Sequence, residues 1–582
     1  MSEPAGKLVF VNTLDDLAEF LRWLGERRSV LAFDTETEGL NYWRHDVRLI
    51  QIGDTQTGFA FPWHLWGGAA VEALRMYDGP IVGHNVQFDV TMIEEHGGGK
   101  VPWSKLHDTM AMTHIVDAGE SAALKQACER HMGSYASQLQ RALDVNMTNN
   151  KWDWDTVPLD FPIYWGYAIM DTVLTARLYE TLLPKFNEQL KHVYEVEMEV
   201  QRICMNMQRR GARVDLQYAA QQRDRLSAYV QQCQDWAKAK YGESFSLGSN
   251  AQVTRQLVAD GVELWKRTEK GAWSLDEEVL EELENQNNEL ARTVHAYRKA
   301  QKVAVTYFEN FLTMHRDSLL HPSIRTSGAR TGRMSVTQPA LQTIPRGPLV
   351  RDAFIPRPDH RLLTADYDQI EMRVLAQFCR DPGLIDAILS GDLHTETARR
   401  VYRDPSLTKK DPRRQLAKNA GFAKVYGAGP EKFSRTAGVT LEEGIAFLAA
   451  YDEMFPGVKG FAQAVEAVAA QNGKGAHTHI VAPSGRIHKT WRNKAYVLVN
   501  YLVQGTAAEV LKNQLIEMDN AGLGEFMILP VHDEVVFDVP VELVDEVQQT
   551  IDKTMSVREG WVVPITAGVE GPFERWGDKY RA

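Results

Sequence analysis

Cysteine is scarce in this sequence. The 582 residues include four cysteines, and no two of them have the CxxC spacing of a zinc site or a redox motif. We therefore expect no zinc module, and we predict that the cysteines are reduced thiols of a cytoplasmic protein. Long apolar runs are also lacking, so no membrane-spanning helix is expected. The N-terminus MSEPAGKLVF does not have the basic-then-apolar order of a signal peptide.

Internal repeats and low-complexity tracts are lacking as well, which argues against a solenoid or a disordered chain. With 44% apolar and 24% charged residues, the composition is that of a globular protein, and the length predicts several domains. The net charge of −12 does not favour a general nucleic-acid binder. However, that average conceals the basic segments KKDPRRQLAK and RTSGARTGR, so net charge does not decide the partner.

The pattern of the chain changes three times. The segments SVLAFDTE, RLIQIGD and GPIVGHN are strand-like and alternate with helical stretches, which predicts a mixed α/β domain at the N-terminus. Residues 185–315 are charge-rich and predicted to be mostly helical. From residue 321 the pattern is mixed again, with a helical section at about 376–495 and hairpin signals near 525–540.

Carboxylates interrupt apolar runs in the C-terminal half. PVHDEVVFD (530–538) predicts a β-hairpin with His532, Asp533 and Glu534 at its tip. RLLTADYDQI (361–370) places Asp366 at a strand end, just before a helix. Taken alone, the HDE segment also fits a solvated turn, and more readily, because loops are usually polar. Two carboxylates at strand ends of one sheet can hold a pair of divalent ions, and Mg²⁺ prefers such oxygen ligands.

A third segment, RRQLAKNAGFAKVYG (413–427), has functional side chains at every fourth position. Because this spacing keeps side chains on one face of a helix, the stripe is half cationic and half aromatic, with Arg414, Lys418, Phe422 and Tyr426. Cations suit a triphosphate, and aromatic rings suit a sugar or a base. The alternatives are a core stripe for the aromatic pair and a solvated face for the cationic pair.

Acidic residues also recur in the N-terminal half. FDTETEGL (33–40) places Asp34 and Glu36 on one face of a strand. HNVQFD (84–89) places Asp89 in a helix-like run, and YWGYAIMDTVLTARLY (164–179) places Tyr167 and Asp171 on one face of a helix. Four close carboxylates could bind two divalent ions, or they could form an acidic pocket shifted toward protonation.

These motifs resemble two known families. DYDQIEMR, RRQLAKNAGFAKVYG and VHDE, in this order, resemble the polymerase motifs of family A DNA polymerases, the DNA polymerase I type. ARTGRMSVTQPALQTIP (329–345) and NYLVQGTAAE (500–509) resemble further segments of that family. The N-terminal D-x-E, N-x-x-F-D and Y-x-x-x-D motifs resemble the DnaQ-like 3′–5′ exonucleases.

The resemblance implies an α/β and α+β multidomain fold. An RNase H-like exonuclease domain at residues 1–190 would precede a right-hand polymerase domain at residues 191–582. The thumb would occupy about 191–320, the palm about 321–375 and 496–582, and the fingers about 376–495. A 5′-nuclease domain would be absent, which resembles a compact phage replicative enzyme; a bacterial repair polymerase fragment is the alternative.

The resemblance also implies residue roles. In the polymerase half, the metal ligands would be Asp366 and Asp533, with Glu534 as an auxiliary acid and Lys418 as the cation beside the reacting phosphate. The residues around the incoming nucleotide would be Arg414, Lys418, Phe422, Tyr426, Glu371, Gln369 and His394, with Glu371 excluding a 2′-hydroxyl. The primer–template contacts would be Arg333, Gln342, Asn500, Gln504 and His532.

In the exonuclease half, the metal ligands would be Asp34, Glu36, Asp89 and Asp171, and Tyr167 would orient the attacking water. Three positions depart from the family pattern: Asp368 stands where Ser is usual, Tyr496 where Arg is frequent, and Thr343 where Asn is common.

The expected function is template-directed DNA synthesis with 3′–5′ proofreading, using two Mg²⁺ ions per active site, with Mn²⁺ as the alternative ion. The expected partners are primer–template DNA and deoxynucleoside triphosphates. We expect the protein to be a monomer in the cytoplasm. If a phage encodes the protein, this is the cytoplasm of the host cell. The sequence does not identify processivity factors or replisome partners. The alternatives are a 3′–5′ exonuclease whose C-terminal half only grips DNA, and a non-catalytic scaffold that binds nucleic acid.

Overall fold

A computed structural model of the protein describes residues 6–26, 28–425, 427–557 and 559–581, without the side chains at 134, 135, 422 and 425. In this part of the chain, no helix is both long enough and apolar enough to cross a membrane. All four cysteines are free thiols, and Cys128, Cys204 and Cys233 are buried.

The N-terminal region is a six-stranded sheet covered by helices. Its strands lie in the order β1-β4-β3-β2-β5-β6, with β3 antiparallel to both neighbours and the other pairs parallel. The elements are β1 (Lys7–Phe10), α1 (Leu14–Leu24), β2 (Leu31–Thr37), β3 (Val47–Gly53), β4 (Thr57–Pro62), α2 (Trp63–Met76), β5 (Ile81–Gly83), α3 (Val86–Glu95), β6 (Leu106–Asp108), α4 (Thr109–Val116), α5 (Leu124–Met132), α6 (Gln138–Asn150) and α7 (Pro162–Leu182).

The middle region is almost entirely helical, as its composition predicted. It contains α8 (Glu188–Arg210), β7 (Ala212–Arg213), α9 (Leu216–Tyr241), α10 (Asn250–Ala259), α11 (Glu277–Asn285), α12 (Glu289–Val303) and α13 (Asn310–Met314). Ser249 caps α10, since its side chain accepts a hydrogen bond from the backbone N–H of Gln252. Helices α9 to α12 enclose a small apolar core that includes Leu257, Leu283 and Val294.

The C-terminal region is built on a four-stranded antiparallel sheet with the order β14-β15-β11-β16. Its first elements are β8 (Leu319–Leu320), β9 (Ser323–Arg325), β10 (Ser335–Thr337), α14 (Pro348–Arg351), β11 (His360–Tyr367) and α15 (Ile370–Cys379). Then follow α16 (Pro382–Leu389), α17 (Leu393–Tyr402), α18 (Arg413–Val425), α19 (Pro430–Ala437), α20 (Leu441–Met454), α21 (Pro456–Asn472), β12 (His477–Val481) and β13 (Ile487–Trp491). The last are α22 (Val497–Asn520), β14 (Met527–Val531), β15 (Glu534–Pro540), α23 (Val544–Met555) and β16 (Ala567–Phe573).

Helix α8 joins the N-terminal and C-terminal cores. Val193 and Met198 pack into the N-terminal core, whereas Ile203 and Met207 pack into the core around the C-terminal sheet. The predicted boundary at 190/191 lies at the start of this helix. Because one continuous helix contributes apolar side chains to both cores, the two sheets are connected through packed structure.

Candidate active sites

The first acidic cluster lies on the central strand of the N-terminal sheet. Strand β2 carries Asp34 and Glu36, and α7 packs across β2, β3 and β4. Because residues i and i+2 of a strand share a face, and i and i+4 of a helix share another, Asp34 and Glu36 lie opposite Tyr167 and Asp171. Helix α3 supplies Asp89 from the side of β2. The structure thus brings all five predicted residues together.

Asp89 is fixed by hydrogen bonds to the same strand. Its Oδ1 accepts from the backbone N–H of Thr35 at 3.1 Å and from the Thr35 hydroxyl at 2.5 Å. Asp89, Asp171 and Glu36 have 3%, 7% and 8% of their surface exposed. Thr35, which lies between Asp34 and Glu36 on β2, therefore fixes the position of Asp89. The sequence motifs did not indicate this role of Thr35.

Burial and mutual repulsion keep these acids from ionising freely. Burial raises the pKa of Asp34 to about 7. Burial, followed by the charge of Asp34, raises the pKa of Glu36 and of Asp89 well above the ordinary range. Such groups stay charged when a cation lies among them.

One cation near the cluster was missed in the sequence. Lys125 of α5 forms an ion pair with Asp171, and its Nζ lies 4.9 Å from the ring centroid of Tyr167. Burial lowers the pKa of Lys125 to about 8. Lys125 belongs to no recognisable sequence motif. Its contact with Asp171 becomes apparent only from the packing of α5 on α7.

A cleft of about 400 Å³ lies beside the start of α3, between the N-terminal region and the β9–β10 hairpin. Its lining includes the aromatic rings of Tyr42, Trp43 and Phe88, together with His321 and Arg325. Aromatic faces and a cation such as Arg325 suit the bases and phosphates of a single strand.

The second acidic cluster lies where β11 meets the β14–β15 hairpin. Asp366 of β11 is paired in register with Glu534 of β15, and His532 and Asp533 form the turn between β14 and β15. His532 has a φ of 58°, and its backbone N–H donates to Oε1 of Gln342 at 2.7 Å. The predicted hairpin is therefore present, with Glu534 inside the strand and not in the turn.

Asp366 and Asp533 lie close enough to repel each other. Burial, followed by the charge of Asp533, raises the pKa of Asp366 to about 7. Burial also raises the pKa of Asp533. Asp533 also lines a small hollow of about 20 Å³, together with Arg333, Ile370 and His532.

Glu534 faces a group of donors that the motifs did not include. Its Oε1 accepts from Trp576 Nε1 at 2.7 Å and lies 3.6 Å from Arg351 Nη1, while its Oε2 accepts from Lys579 Nζ at 2.9 Å. Burial alone would lower the pKa of Lys579, but Glu534, Asp366 and Glu570 together raise it. No spacing in the sequence links residues 534 and 579.

Helix α18 contains the predicted cationic stripe. Arg414 pairs with Asp392, the N-cap residue of α17, at 2.9 and 3.2 Å, and His394 lies in the same helix. Burial, then Arg346 and Arg414, lowers the pKa of Lys418. Arg346 thus joins this group, although the quoted segment 329–345 stopped one residue before it. Tyr426 and the side chain of Phe422 lie outside the described residues.

The other predicted contact residues surround the second cluster. Arg333 forms an ion pair with Glu371 of α15, and Gln369 precedes that helix with a φ of 52°. Asn500 and Gln504 lie on α22, where Asn500 is buried. Within the described residues, the side-chain nitrogen of Asn500 is buried and has no hydrogen-bond acceptor.

The structure shows the surroundings of the three residues that depart from the family pattern, which the sequence alone could not predict. Asp368 is exposed, and its Oδ2 accepts from the Thr566 hydroxyl at 3.1 Å. Thr343 Oγ1 contacts the Tyr307 hydroxyl at 3.1 Å, and Tyr496 is 44% exposed. The extra carboxylate of Asp368 is thus bound to the segment before β16.

The donor atoms of both clusters are of the type that binds divalent metal ions. Each offers carboxylate oxygens without a cysteine, which is the donor set of Mg²⁺ or Mn²⁺ and not of zinc in a structural site. Burial is the main cause that raises the pKa of Asp34 and of Asp366 to about 7, and a bound cation would favour the ionised form of both groups.

Two family models match this chain. The family described as DNA polymerase family A matches residues 216–578, and the family described as 3′-5′ exonuclease matches residues 8–187. The DNA polymerases of Mycobacterium phages D29 and L5 are each 28% identical to this chain, over 100% of the chain and 99% of the relative.

Two further similarities extend the comparison. DNA polymerase I of Pseudomonas aeruginosa is 28% identical over 95% of this chain and 64% of its own length. A solved structure, the POL domain of Pol1 from M. smegmatis in complex with DNA primer-template and dNTP, has the same fold, with a TM-score of 0.80 at 23% identity over 98% of this chain and 99% of that one.

Proposed function

The chain belongs to DNA polymerase family A and is a DNA-directed DNA polymerase with a 3′–5′ exonuclease domain, and we propose from this premise which residues carry each activity. Synthesis is assigned to the cluster of Asp366 and Asp533, and proofreading to the cluster of Asp34, Glu36, Asp89 and Asp171. Family A polymerase and 3′–5′ exonuclease domains generally use divalent metals. Two Mg²⁺ ions per cluster, with Mn²⁺ as a substitute, are the proposed cofactors.

The observation that carries the synthetic assignment is a group of cations near the β14–β15 turn, since burial, with Arg346 as one of the nearby cations, lowers the pKa of both Lys418 and His532. Arg414, Lys418 and Arg346 lie together and would bind the phosphates of an incoming deoxynucleoside triphosphate. Divalent ions held by Asp366 and Asp533 would activate the primer 3′-hydroxyl and neutralise the leaving group. Lys418 would place positive charge where the pyrophosphate develops negative charge.

The remaining residues would orient the substrates. Glu371, held by Arg333, would exclude a ribose 2′-hydroxyl, and Phe422 and Tyr426 would lie beside the sugar and the templating position. Asn500, Gln504, Gln342 and His532 would contact the primer–template duplex. Minor-groove acceptors are nearly the same for all base pairs, so such contacts check pairing shape without reading sequence.

Hydrolysis of a misplaced 3′ end is assigned to the N-terminal cluster. Divalent ions bound by its four carboxylates would supply hydroxide from water, and Tyr167 would orient that water. The aromatic cleft beside α3 would receive the last nucleotides of a frayed strand.

The alternative of an exonuclease with a non-synthesising C-terminal half has less support. It would require a broken carboxylate pair or a lost lysine, whereas Asp366, Asp533 and Lys418 are all present. Burial raises the pKa of the two carboxyl groups and lowers that of the lysine. We therefore propose primer–template DNA and deoxynucleotides as substrates. We also propose that the protein acts as a monomer in the cytoplasm, where these substrates occur.

A primer–template assay tests this function directly. With Mg²⁺ and all four deoxynucleotides, a labelled primer should lengthen to the end of the template. Without deoxynucleotides, the same primer should shorten from its 3′ end. Shortening without any extension, at several Mg²⁺ concentrations, would favour the alternative.

A further inference from the structure

Residues 575–580 pack next to the second acidic cluster. Trp576 opens a 3₁₀ turn (Trp576–Tyr580) and is fully buried. Its backbone N–H donates to the carbonyl of Phe354 at 3.1 Å, and its ring packs edge-on against that of Phe354 at 5.4 Å. Arg575 adds a 2.6 Å hydrogen bond to Asp215. Such packing gives the turn one position relative to β11 and β15.

This turn places Lys579 among three carboxylates. Its Nζ lies 2.9 Å from Glu534 Oε2, 3.2 Å from Glu570 Oε2 and 3.8 Å from Asp366 Oδ2. Only 13% of the Lys579 side chain is exposed. A buried ammonium with this surrounding is an ion-pair partner and not a solvated surface charge.

The second oxygen of Glu534 is also occupied. Trp576 Nε1 donates to Oε1 at 2.7 Å, and the guanidinium of Arg351 lies 3.6 Å from the same oxygen and 4.2 Å from the Trp576 ring centroid. Glu534 is therefore turned into the protein by two hydrogen-bond donors and the nearby guanidinium of Arg351, whereas Asp533 beside it lines the hollow with Arg333 and His532.

We propose that Lys579 is a positioning residue of the synthetic site, which holds the carboxylate of Glu534 away from the metal ions and leaves Asp366 and Asp533 as their ligands. This inference rests on the proposed synthetic role of that pair. Without Lys579, Glu534 would gain an unpaired negative charge next to Asp366. The cluster would then bind divalent ions more tightly but in a different arrangement, since Glu534 could turn toward them.

The test is Lys579→Met, which removes the charge and retains the length of the side chain. Direct Mn²⁺ binding, measured by electron paramagnetic resonance without DNA, should tighten about three- to tenfold at the synthetic site because one positive charge is lost nearby. The kcat of primer extension should fall about tenfold or more, with a smaller change in the KM for deoxynucleotides. The Asp34→Ala background removes the exonuclease metal site from both measurements.

Further variants separate positioning from a loss of structure. Lys579→Arg should keep Mn²⁺ affinity near that of the parent, and adding Glu534→Gln to Lys579→Met should return the affinity toward it, because the carboxylate that Lys579 neutralises is gone. Lys553→Met on α23, an exposed lysine, is the matched control and should change neither value. Exonuclease activity on a single strand, assayed with Asp34 intact, reports folding.

Two results would overturn the proposal. The first is Lys579→Met with unchanged Mn²⁺ affinity and unchanged kcat. The second is weaker Mn²⁺ binding that Glu534→Gln does not correct, since this would mean that Lys579 only stabilises the turn. Failure of the proposed function looks different: if Asp366→Asn alone did not change Mn²⁺ binding or extension, the metal pair itself would be wrongly assigned.

Discussion

The two acidic clusters balance their charge in different ways. In the N-terminal cluster, Glu36, Asp89 and Asp171 are buried, and Lys125 contacts Asp171. In the C-terminal cluster, the Asp366 side chain is 44% exposed, and the charge of Glu534 is already paired by Lys579. The first arrangement suits a narrow site for one strand end. The second suits an open site that must accept a duplex and a triphosphate in turn.

A mutation in one acidic cluster should abolish one activity and leave the other intact. Asp533→Ala should reduce primer extension about a thousandfold or more, since it removes one of two proposed metal ligands, while degradation of single strands continues. Asp34→Ala should produce the reverse pattern. Gel assays of both variants on the same labelled primer measure both activities. Loss of both activities in either variant would break the comparison.

Lys418 should matter for synthesis alone. Lys418→Ala removes the cation next to Arg346 and Arg414, so extension should slow by about a hundred- to a thousandfold. Exonuclease rates should stay within about twofold of the parent, because Lys418 lies on α18, away from the first cluster. Steady-state extension kinetics check this. A change confined to primer–template affinity would contradict a role at the phosphates.

Glu371 should affect the choice of sugar more than the rate. Its ion pair with Arg333 holds it near the synthetic site, and Glu371→Ala should lower the preference for deoxynucleotides over ribonucleotides by about ten- to a hundredfold. Competition between the two nucleotide types on one template measures this ratio. If discrimination were unaltered, the proposed exclusion of the 2′-hydroxyl would be wrong.

The smallest expected effect concerns the stability of the metal-free protein. Asp34 has a folded-state pKa of about 7 against an ordinary 3.8, so the folded state binds the proton more readily than the unfolded state. Its ionisation therefore costs stability increasingly as pH rises from 4 to 7, and constantly above 7.

Asp34→Asn removes that cost. In EDTA, it should stabilise the N-terminal region by roughly 2 kcal/mol at pH 8 and by about half as much at pH 5.5. Thermal melts at both pH values measure the difference. Destabilisation at pH 8 would show that burial does not disfavour the ionised carboxylate in the folded state.

The strongest sequence signals were those set by local geometry. The i,i+2 spacing of Asp34 and Glu36 and the apolar runs around His532–Glu534 predicted β2 and the β14–β15 hairpin, because strand alternation and turn chemistry are local. The stripe of Arg414 and Lys418 predicted α18 for the same reason. The resemblance to known families, which rested on these motifs and their order, then supplied the expected roles of the residues.

The residues missed by the sequence are brought in by tertiary packing. Lys125 reaches Asp171 because α5 packs on α7, and Lys579 reaches Glu534 from a turn 45 residues later. Neither lysine has a spacing that links it to the acid it contacts. Glu534 illustrates the consequence: its place in the motif suggested a side chain at the hairpin tip, but its neighbours turn it toward Lys579 and Trp576.

Crystals soaked in Mn²⁺ test the central claim most directly, because anomalous scattering locates the ions without relying on activity. The account predicts peaks between Asp366 and Asp533 and among Asp34, Glu36, Asp89 and Asp171, with the Glu534 carboxylate still on Lys579. Peaks absent from both clusters at saturating Mn²⁺ would contradict it.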